Sequence, residues 1–316
     1  MVYKRMKSIV GILLLLSFSR ILADDTPYNF MRFNSTARAS ALSNAVVSID
    51  EDVSLIFFNP ALLQTVSEKP LSTTFSKHVL DINSGNVVYM FDQFDLDGGS
   101  LAAQVNFNSY GSFDYLDNQG QLYGNGFSGA DLSFGATYAN VLDSNWYYGV
   151  TGKFIYLNLE EQSSSAFAVD AGMFYKANER TNIGVSILHL GNEITTLNGQ
   201  VASLPTDFRL GINHRLKGLP LLVNFSFHHL VDESDSFIDR FANFSIGGEL
   251  YLSKFINLRV GYDNQIRNFA SADDNKGLSG LSGGVGLKFE SINFDYGYAE
   301  YGASIGLHRF TLSLDI

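Results

Sequence analysis

Arg309-Phe310-Thr311-Leu312-Ser313-Leu314-Asp315-Ile316 closes the sequence and decides its fold. Strand side chains point to alternate faces, so Phe310, Leu312, Leu314 and Ile316 share one wholly apolar face. Arg309, Thr311, Ser313 and Asp315 share a wholly polar one. The same alternation recurs upstream. Ile292, Phe294, Tyr296 and Tyr298 stand against Asn293, Asp295 and Gly297, and Ile256, Leu258, Val260 and Tyr262 against Asn257, Arg259, Gly261 and Asp263. Leu221, Val223, Phe225 and Phe227 oppose Asn224, Ser226 and His228, and Leu132, Phe134, Ala136 and Tyr138 oppose Asp131, Ser133, Gly135 and Thr137.

A soluble sandwich also alternates, but three features favour a membrane barrel. The strands run to about ten residues, which suits a tilted crossing. Aromatics recur near strand ends, at Tyr147, Tyr148, Tyr156, Tyr251, Phe255, Tyr262, Phe289 and Tyr301, where a headgroup belt is expected. Tight connections (142–144, 177–180, 217–218, 253–254 and Glu290) take turns with longer polar ones (111–128, 158–164, 191–204, 230–240 and 265–278), and only the short 302–304 breaks the rule. Short periplasmic turns and long outer loops are the mark of outer-membrane barrels. The reading is an all-β, antiparallel, up-and-down transmembrane β-barrel of about fourteen strands. They lie near 70–78, 85–91, 99–110, 129–141, 145–157, 165–176, 181–190, 205–216, 219–229, 241–252, 255–264, 279–289, 291–301 and 305–316.

The beginning of the chain reads differently. Lys4, Arg5 and Lys7 precede an apolar run from Ile9 to Leu16, and Ala23 follows. That order predicts a signal peptide over 1–23, although Ile21 stands where a small residue is expected. The apolar run is too short to span a bilayer, and no later segment approaches the ~20 residues a spanning helix needs. Removing Lys4, Arg5, Lys7 and Arg20 takes the formal charge from −11 to about −15. An acidic chain without a basic cluster argues against nucleic acid as a partner. The absence of cysteine excludes disulfides, thiolate metal sites and a lipidated Cys.

Residues 24–69 do not alternate. Residues 36–47 suggest a short, weakly amphipathic helix, and Asn59 is a suitable cap for a helix starting at Pro60. The expected organisation is therefore a signal peptide (1–23), a small helical plug segment (24–69) and an outer-membrane barrel (70–316).

The run Ser35-Thr36-Ala37-Arg38-Ala39-Ser40-Ala41-Leu42, the acidic stretch after it, and Asn59-Pro60-Ala61-Leu62-Leu63 resemble the PorV/PorQ family of the type IX secretion system, itself similar to FadL-type barrels. The resemblance runs the length of the chain. It is nearest to PorQ in Ser67-Glu68-Lys69-Pro70-Leu71, Asp81-Ile82-Asn83-Ser84-Gly85 and Leu204-Pro205-Thr206-Asp207-Phe208-Arg209-Leu210-Gly211. It departs at Ser43, where the family usually has Gly, and at Ile316, where barrels often end in Phe. The resemblance implies an accessory role in secretion, in a Gram-negative outer membrane, through contact with membrane lipid and with secretion components or cargo. Asn59, Pro60 and Ala61 carry over as a structural plug motif, and no binding residue carries over. A FadL-like channel for hydrophobic small molecules is the alternative. It would need a lateral opening or an apolar lumen pocket, whereas the inward faces are mostly Ser, Asn, Thr, Asp and Gly. A purely structural barrel is a third reading.

Six charges fall on polar faces: Lys153, Arg209, Glu249, Arg259, Lys288 and Arg309. A cation on the lipid face costs about 2–4 kcal/mol at midplane, so they are expected to face the lumen and to pair with acids such as Asp131, Asp263 or Asp295. No cofactor, metal or catalytic site is expected. Among His78, His189, His214, His228, His229 and His308 no pair has helical metal spacing, and the adjacent His228 and His229 would point to opposite faces of a strand. No motif marks a Ser–His–acid triad. The acidic stretches Asp92–Asp97 and Asp273–Lys276 read as turns rather than calcium loops. The loops 111–128 and 265–278 mix aromatic with polar residues (Phe113, Tyr115, Tyr123, Phe127, Phe269) and are candidate partner sites.

Overall fold

A computed structural model describes residues 26–33, 35–78, 82–114, 119, 121–122, 126–160, 162–197, 199–232, 234, 236, 238–269, 277–302 and 305–315. The expected signal peptide (1–23), Asp81, Tyr115, Tyr123, Asp273–Lys276 and Ile316 lie outside them, as do the side chains of Asp92, Asp95 and Phe127. Fourteen antiparallel strands close into one barrel. They are β1 (Leu71–Lys77), β2 (Asn83–Leu96), β3 (Gly99–Phe113), β4 (Phe127–Asp143), β5 (Trp146–Leu159), β6 (Gln162–Asn178), β7 (Thr181–Thr195), β8 (Asp207–Arg215), β9 (Leu221–Phe227), β10 (Phe244–Tyr251), β11 (Ile256–Asp263), β12 (Leu281–Lys288), β13 (Ile292–Gly302) and β14 (Ile305–Leu314). Residues 308–314 close the wall: β1 pairs with β14 from Leu71↔Leu314 to Lys77↔His308. Closure leaves no unpaired strand edge, which lets a sheet sit in lipid.

The alternation sorts the two faces as a bilayer demands. Phe75, Phe134, Phe154, Phe167 and Phe310 point outward and are 40–50% exposed, while their strand neighbours Ser76, Ser133, Lys153, Ala168 and Arg309 are buried inside. With Ile212, Ile246, Val260 and Leu281 exposed on the shorter strands, these rings form the apolar band that lipid covers. At the tight-turn end Trp146 stacks on Tyr175 with centroids 4.3 Å apart, as an interfacial girdle requires. Two aromatics assigned to that girdle from sequence behave otherwise. Tyr147 and Tyr251 point inward and pack against the buried core, because the strand parity that sends Trp146 and Leu250 outward sends them in.

The wall is uneven. β3 to β7 run 14–17 residues, whereas β8 to β12 run only 7–9. The expected long connection at 158–164 does not exist as such, since pairing continues to Leu159↔Gln162. Conversely, β9 stops at Phe227, so His228 and His229 are not strand residues; His229 has φ +53° and its ring lies 4.9 Å from that of His228 rather than across the wall from it.

Inside the barrel lies the N-terminal segment. It begins with a 3-10 helix, Pro27–Arg32, capped by Thr26. The expected helix over 36–47 shrinks to α1 (Ala37–Ala41), capped by Thr36, because Ser43 and Asn44 take positive φ and turn the chain. Short 3-10 helices follow at Val53–Leu55 and Pro60–Thr65, the second capped by Asn59 with Pro60 in its first turn. Ala39, Leu42, Val46, Ile49, Leu55, Phe58, Ala61 and Leu62 form one apolar core with Phe174 and Leu222 of the wall. A segment too short to fold alone thus buries its apolar residues against the barrel.

Candidate functional site in the barrel lumen

The plug rests on glycine. Four cross-strand pairs, Gly149↔Gly172, Gly184↔Gly211, Gly247↔Gly261 and Gly284↔Gly297, face inward along β5 to β13. A Cβ at Gly149 would come 2.5 Å from Ala61 N, one at Gly261 2.6 Å from Leu42 C, and one at Gly284 2.5 Å from Ala41 Cβ. At Gly172, Gly184 and Gly297 it would overlap Asn59 Oδ1 and the carbonyls of Val47 and Ala37. Glycine is used here for close backbone approach.

Asn59, Pro60 and Ala61 sit at this seat. Asn59 is fully buried; its Nδ2 donates to Val47 O and to Met173 O of the wall, each at 3.0 Å, and its Oδ1 accepts from Ala61 N at 3.1 Å. One carboxamide therefore caps a helix, braces a plug turn and ties the plug to β6.

The polar-face charges form separate clusters. Glu249 is central to the first: Oε2 accepts from Arg38 of the plug at 2.6 Å, and Oε1 from Arg259 at 2.7 Å. Arg38 also binds Asp52 at 2.8 Å, and Arg259 binds Asp295 at 2.5 Å. Lys288 lines the same region without an ion pair among the described residues. Arg309 is fully buried and donates to Ser40 Oγ of α1 at 2.8 Å. Lys153 meets Asp170 at 2.7 Å and His189 Nδ1 at 2.6 Å. A β-bulge makes that last contact: with φ +61°, His189 gives its N–H to Asp170 (2.7 Å), and both Leu188 and His189 turn inward. Arg209 pairs with Asp207 at 2.6 Å and lies over the Phe58 ring of the plug. Of the three acids expected as partners, Asp295 takes Arg259, Asp131 instead accepts from Tyr110, and Asp263 faces His228 at 3.3 Å. Beyond β9, burial pushes the His229 imidazole down to about 4, against the pull of Asp207.

Each end of the lumen has its own chamber. Toward the outer loops, Ile155 and Leu157 of β5, Ala166 and Ala168 of β6, and Leu204 make an apolar pocket inside the wall. Tyr28, Phe30 and Met31 fill it, and Tyr28 OH reaches Ser164 Oγ at 2.5 Å. Thr26 binds Ser203 O at 2.5 Å, and Arg32 pairs twice with Asp232 at 2.7 and 2.8 Å. This apolar pocket was missed in sequence; alternation around Lys153 hid two apolar residues on a mostly polar face. At the tight-turn end a vestibule of about 650 Å³ opens between the plug and the turns. Among the described residues no three His, Asp or Glu side chains gather as a metal would require.

A family model described as type IX secretion system membrane protein PorP/SprF matches residues 121–312, more than half of the chain. No curated protein matches it. Solved structures with the same fold include the Ralstonia pickettii toluene transporter TbuX (14% identity, TM-score 0.54, 90% of this chain and 99% of that one). The Pseudomonas putida toluene transporter TodX (12%, 0.55, 86% and 95%) and a Pseudomonas aeruginosa FadL homologue (9%, 0.55, 89% and 98%) are alike. At such identities the likeness is one of fold.

Proposed function

The chain belongs to the PorP/SprF family of type IX secretion system membrane proteins, and from that premise we propose that it is an accessory outer-membrane barrel that binds secretion partners or cargo, in the manner of PorQ. The supporting observation is the seated plug. Its residues Ala37, Leu42, Val47, Asn59 and Ala61 are buried against the glycine pairs, so the lumen at that level is packed with chain. A barrel so filled offers its loops and mouths to partners, not a wide bore. In this reading residues 1–23 are a cleaved export signal, 24–69 the plug and 70–316 the wall. The lumen charges hold the plug, and the barrel carries out no reaction. Deleting the gene and measuring secreted type IX cargo tests it: reduced secretion is expected, and normal secretion sinks the proposal. Affinity purification from gently solubilised outer membranes should recover other secretion components.

One observation favours a second reading, a channel for hydrophobic small molecules. The apolar pocket around Ile155 and Leu157 is large enough to hold three side chains of the plug, and TbuX and TodX are toluene transporters. Loss of toluene uptake in the deletion strain, with secretion intact, would favour it.

A further inference from the structure

The vestibule at the tight-turn end has a chemistry that the plug does not use up. Its volume, about 650 Å³, falls within the ~300–1,000 Å³ of ordinary ligand pockets. Its acids are largely spoken for: Asp52 holds Arg38, Asp295 holds Arg259, and Glu68 lies 3.4 Å from Lys69. Two of its cations are not. Among the described residues the ammonium groups of Lys254 and Lys288 have neither an ion pair nor a hydrogen bond, and they stand on adjacent turns joined by the bond from Lys288 N to Phe255 O at 2.8 Å. Lys288 is half-buried, whereas the unpaired rim acids Glu51 and Glu290 are exposed to water. Each lysine precedes a phenylalanine; Phe255 and Phe289 line the same space and remain 59% and 57% exposed. Two lining residues also keep a buried polar atom without a partner, the donor Arg38 Nε and the acceptor Asn293 Oδ1.

We propose that this vestibule binds the carboxylate of an extended peptide segment of a periplasmic partner, with Lys288 and Lys254 taking the charge and Phe255 and Phe289 flanking it. This rests on the partner-binding reading above. Three features select the occupant. The space lies inside the ring of turns, so it opens to the periplasm rather than to the bilayer. A peptide carries donors and acceptors together, which suits unsatisfied groups of both kinds. A carboxylate gives an unpaired, half-buried ammonium the charge-assisted bond it lacks. Arg38 and Arg259, the two partners of Glu249, line the vestibule, so an occupant would also touch the residue that ties plug to wall.

The test uses the full chain in detergent micelles and a fluorescent N-acylated Phe-Ala-Glu peptide with a free carboxyl end. The comparison probes are its Phe-Ala-Gln amide and glycerol phosphate. The acid peptide should bind at least about tenfold more tightly than the amide. Lys288→Met should weaken it by about the same factor, with Lys254→Met smaller in effect, while Lys217→Met on another tight turn leaves it unchanged. Heat-modifiable electrophoretic mobility checks that each variant is folded, and Lys288→Gln serves if the methionine variant is not. Equal binding of acid and amide, an unchanged affinity in the Lys288 and Lys254 variants, or tighter binding of glycerol phosphate overturns the proposal, the last by making this a phosphate site. Failure of the titration beside a secretion defect in the deletion strain overturns the site alone; normal secretion sinks the accessory role whatever the titration gives.

Discussion

Replacing Gly172 by alanine tests whether the plug is held by close approach to glycine. The new Cβ would overlap Asn59 Oδ1 and come 3.0 Å from Pro60 Cδ, so the Asn59–Pro60 turn has to move. Overpacking of this kind costs about 1–3 kcal/mol. Shifting Asn59 also weakens its bonds to Met173 O and Ala61 N, each worth about 1 kcal/mol net. A total near 3 kcal/mol lowers the ratio of seated to unseated plug roughly a hundredfold. Gly152→Ala is the internal control: it faces lipid on β5, its nearest atom would be a Phe167 ring carbon at 3.8 Å, and its effect should stay within about 0.5 kcal/mol. The chain has no cysteine, so Ser54→Cys, at a plug position 1% exposed, gives a single reporter thiol. Maleimide labelling of that thiol in folded protein follows the unseated fraction. It should run roughly a hundredfold faster with Gly172→Ala than with Gly152→Ala. Equal labelling rates in two folded variants would refute the reasoning, since the glycine pairs would then not be what the plug rests on.

Glu249→Gln leaves Arg38 and Arg259 dependent on Asp52 and Asp295 and should cost about 3 kcal/mol, read as a lower urea midpoint and as faster hydrogen exchange across Ala37–Ala41. Lys153→Met strands Asp170, which is 1% exposed, and should cost about 3 kcal/mol in urea unfolding; Lys153→Met with Asp170→Asn, which is neutral and keeps an acceptor for His189 N–H, should recover most of it. His229 is neutral in the folded barrel, with a pKa lowered to about 4 by burial despite Asp207 beside it. The unfolded chain binds that proton first, near 6.5, so its stabilisation is complete above pH 6.5 and is lost as pH falls toward 4, by up to about 3 kcal/mol. His229→Gln should flatten that part of the pH profile, and an unchanged profile would count against the burial argument. Phe154→Lys places a cation in the lipid band and should cost about 2–4 kcal/mol of folding into lipid vesicles, where Ser133→Ala on the inner face costs little.

The wall was legible because its physics is local. One apolar face against lipid forces period two, and Phe310, Leu312 and Leu314 display it without help from distant residues. Strand ends were less legible. β5 and β6 zip on to Leu159↔Gln162 through residues whose pattern reads as a loop, since a hairpin above the membrane owes nothing to alternation. The plug was visible as a lapse in the pattern, with the Asn59 cap legible beside Pro60; its first helix ends at Ala41 because Ser43 turns the chain, where a Gly would have announced the turn. Of the lumen pairings only that of Asp295 with a polar-face cation, Arg259, followed the sequence expectation; the others were beyond sequence. Lys153 meets His189 through a bulge in β7, and Arg38 meets Glu249 across 211 positions. The glycine pairs were in plain view on the polar faces, as Gly261 and Gly297 among Asn, Arg and Asp, but they signify a seat only once a second backbone is known to lie against them.

That second backbone runs from one mouth to the other. Thr26 is tied to Ser203 among the outer loops, and Lys69 donates to Glu290 O on a tight turn, with the glycine seat between them. The two ends are held differently. Near the outer mouth the segment is fixed by a few polar bonds and by three side chains in an apolar pocket; in the middle it is fixed by backbone packed on backbone and by buried ion pairs. The bonds of Thr26, Tyr28 and Arg32 to the wall lie apart from the glycine seat. Unseating the middle, by contrast, requires Arg38 to leave Glu249. Arg38 is also a wall of the vestibule. A ligand at the tight-turn mouth would therefore touch Arg38, Asp52 and Val53 of the plug, whereas one at the other mouth would meet the apolar pocket filled by Tyr28, Phe30 and Met31.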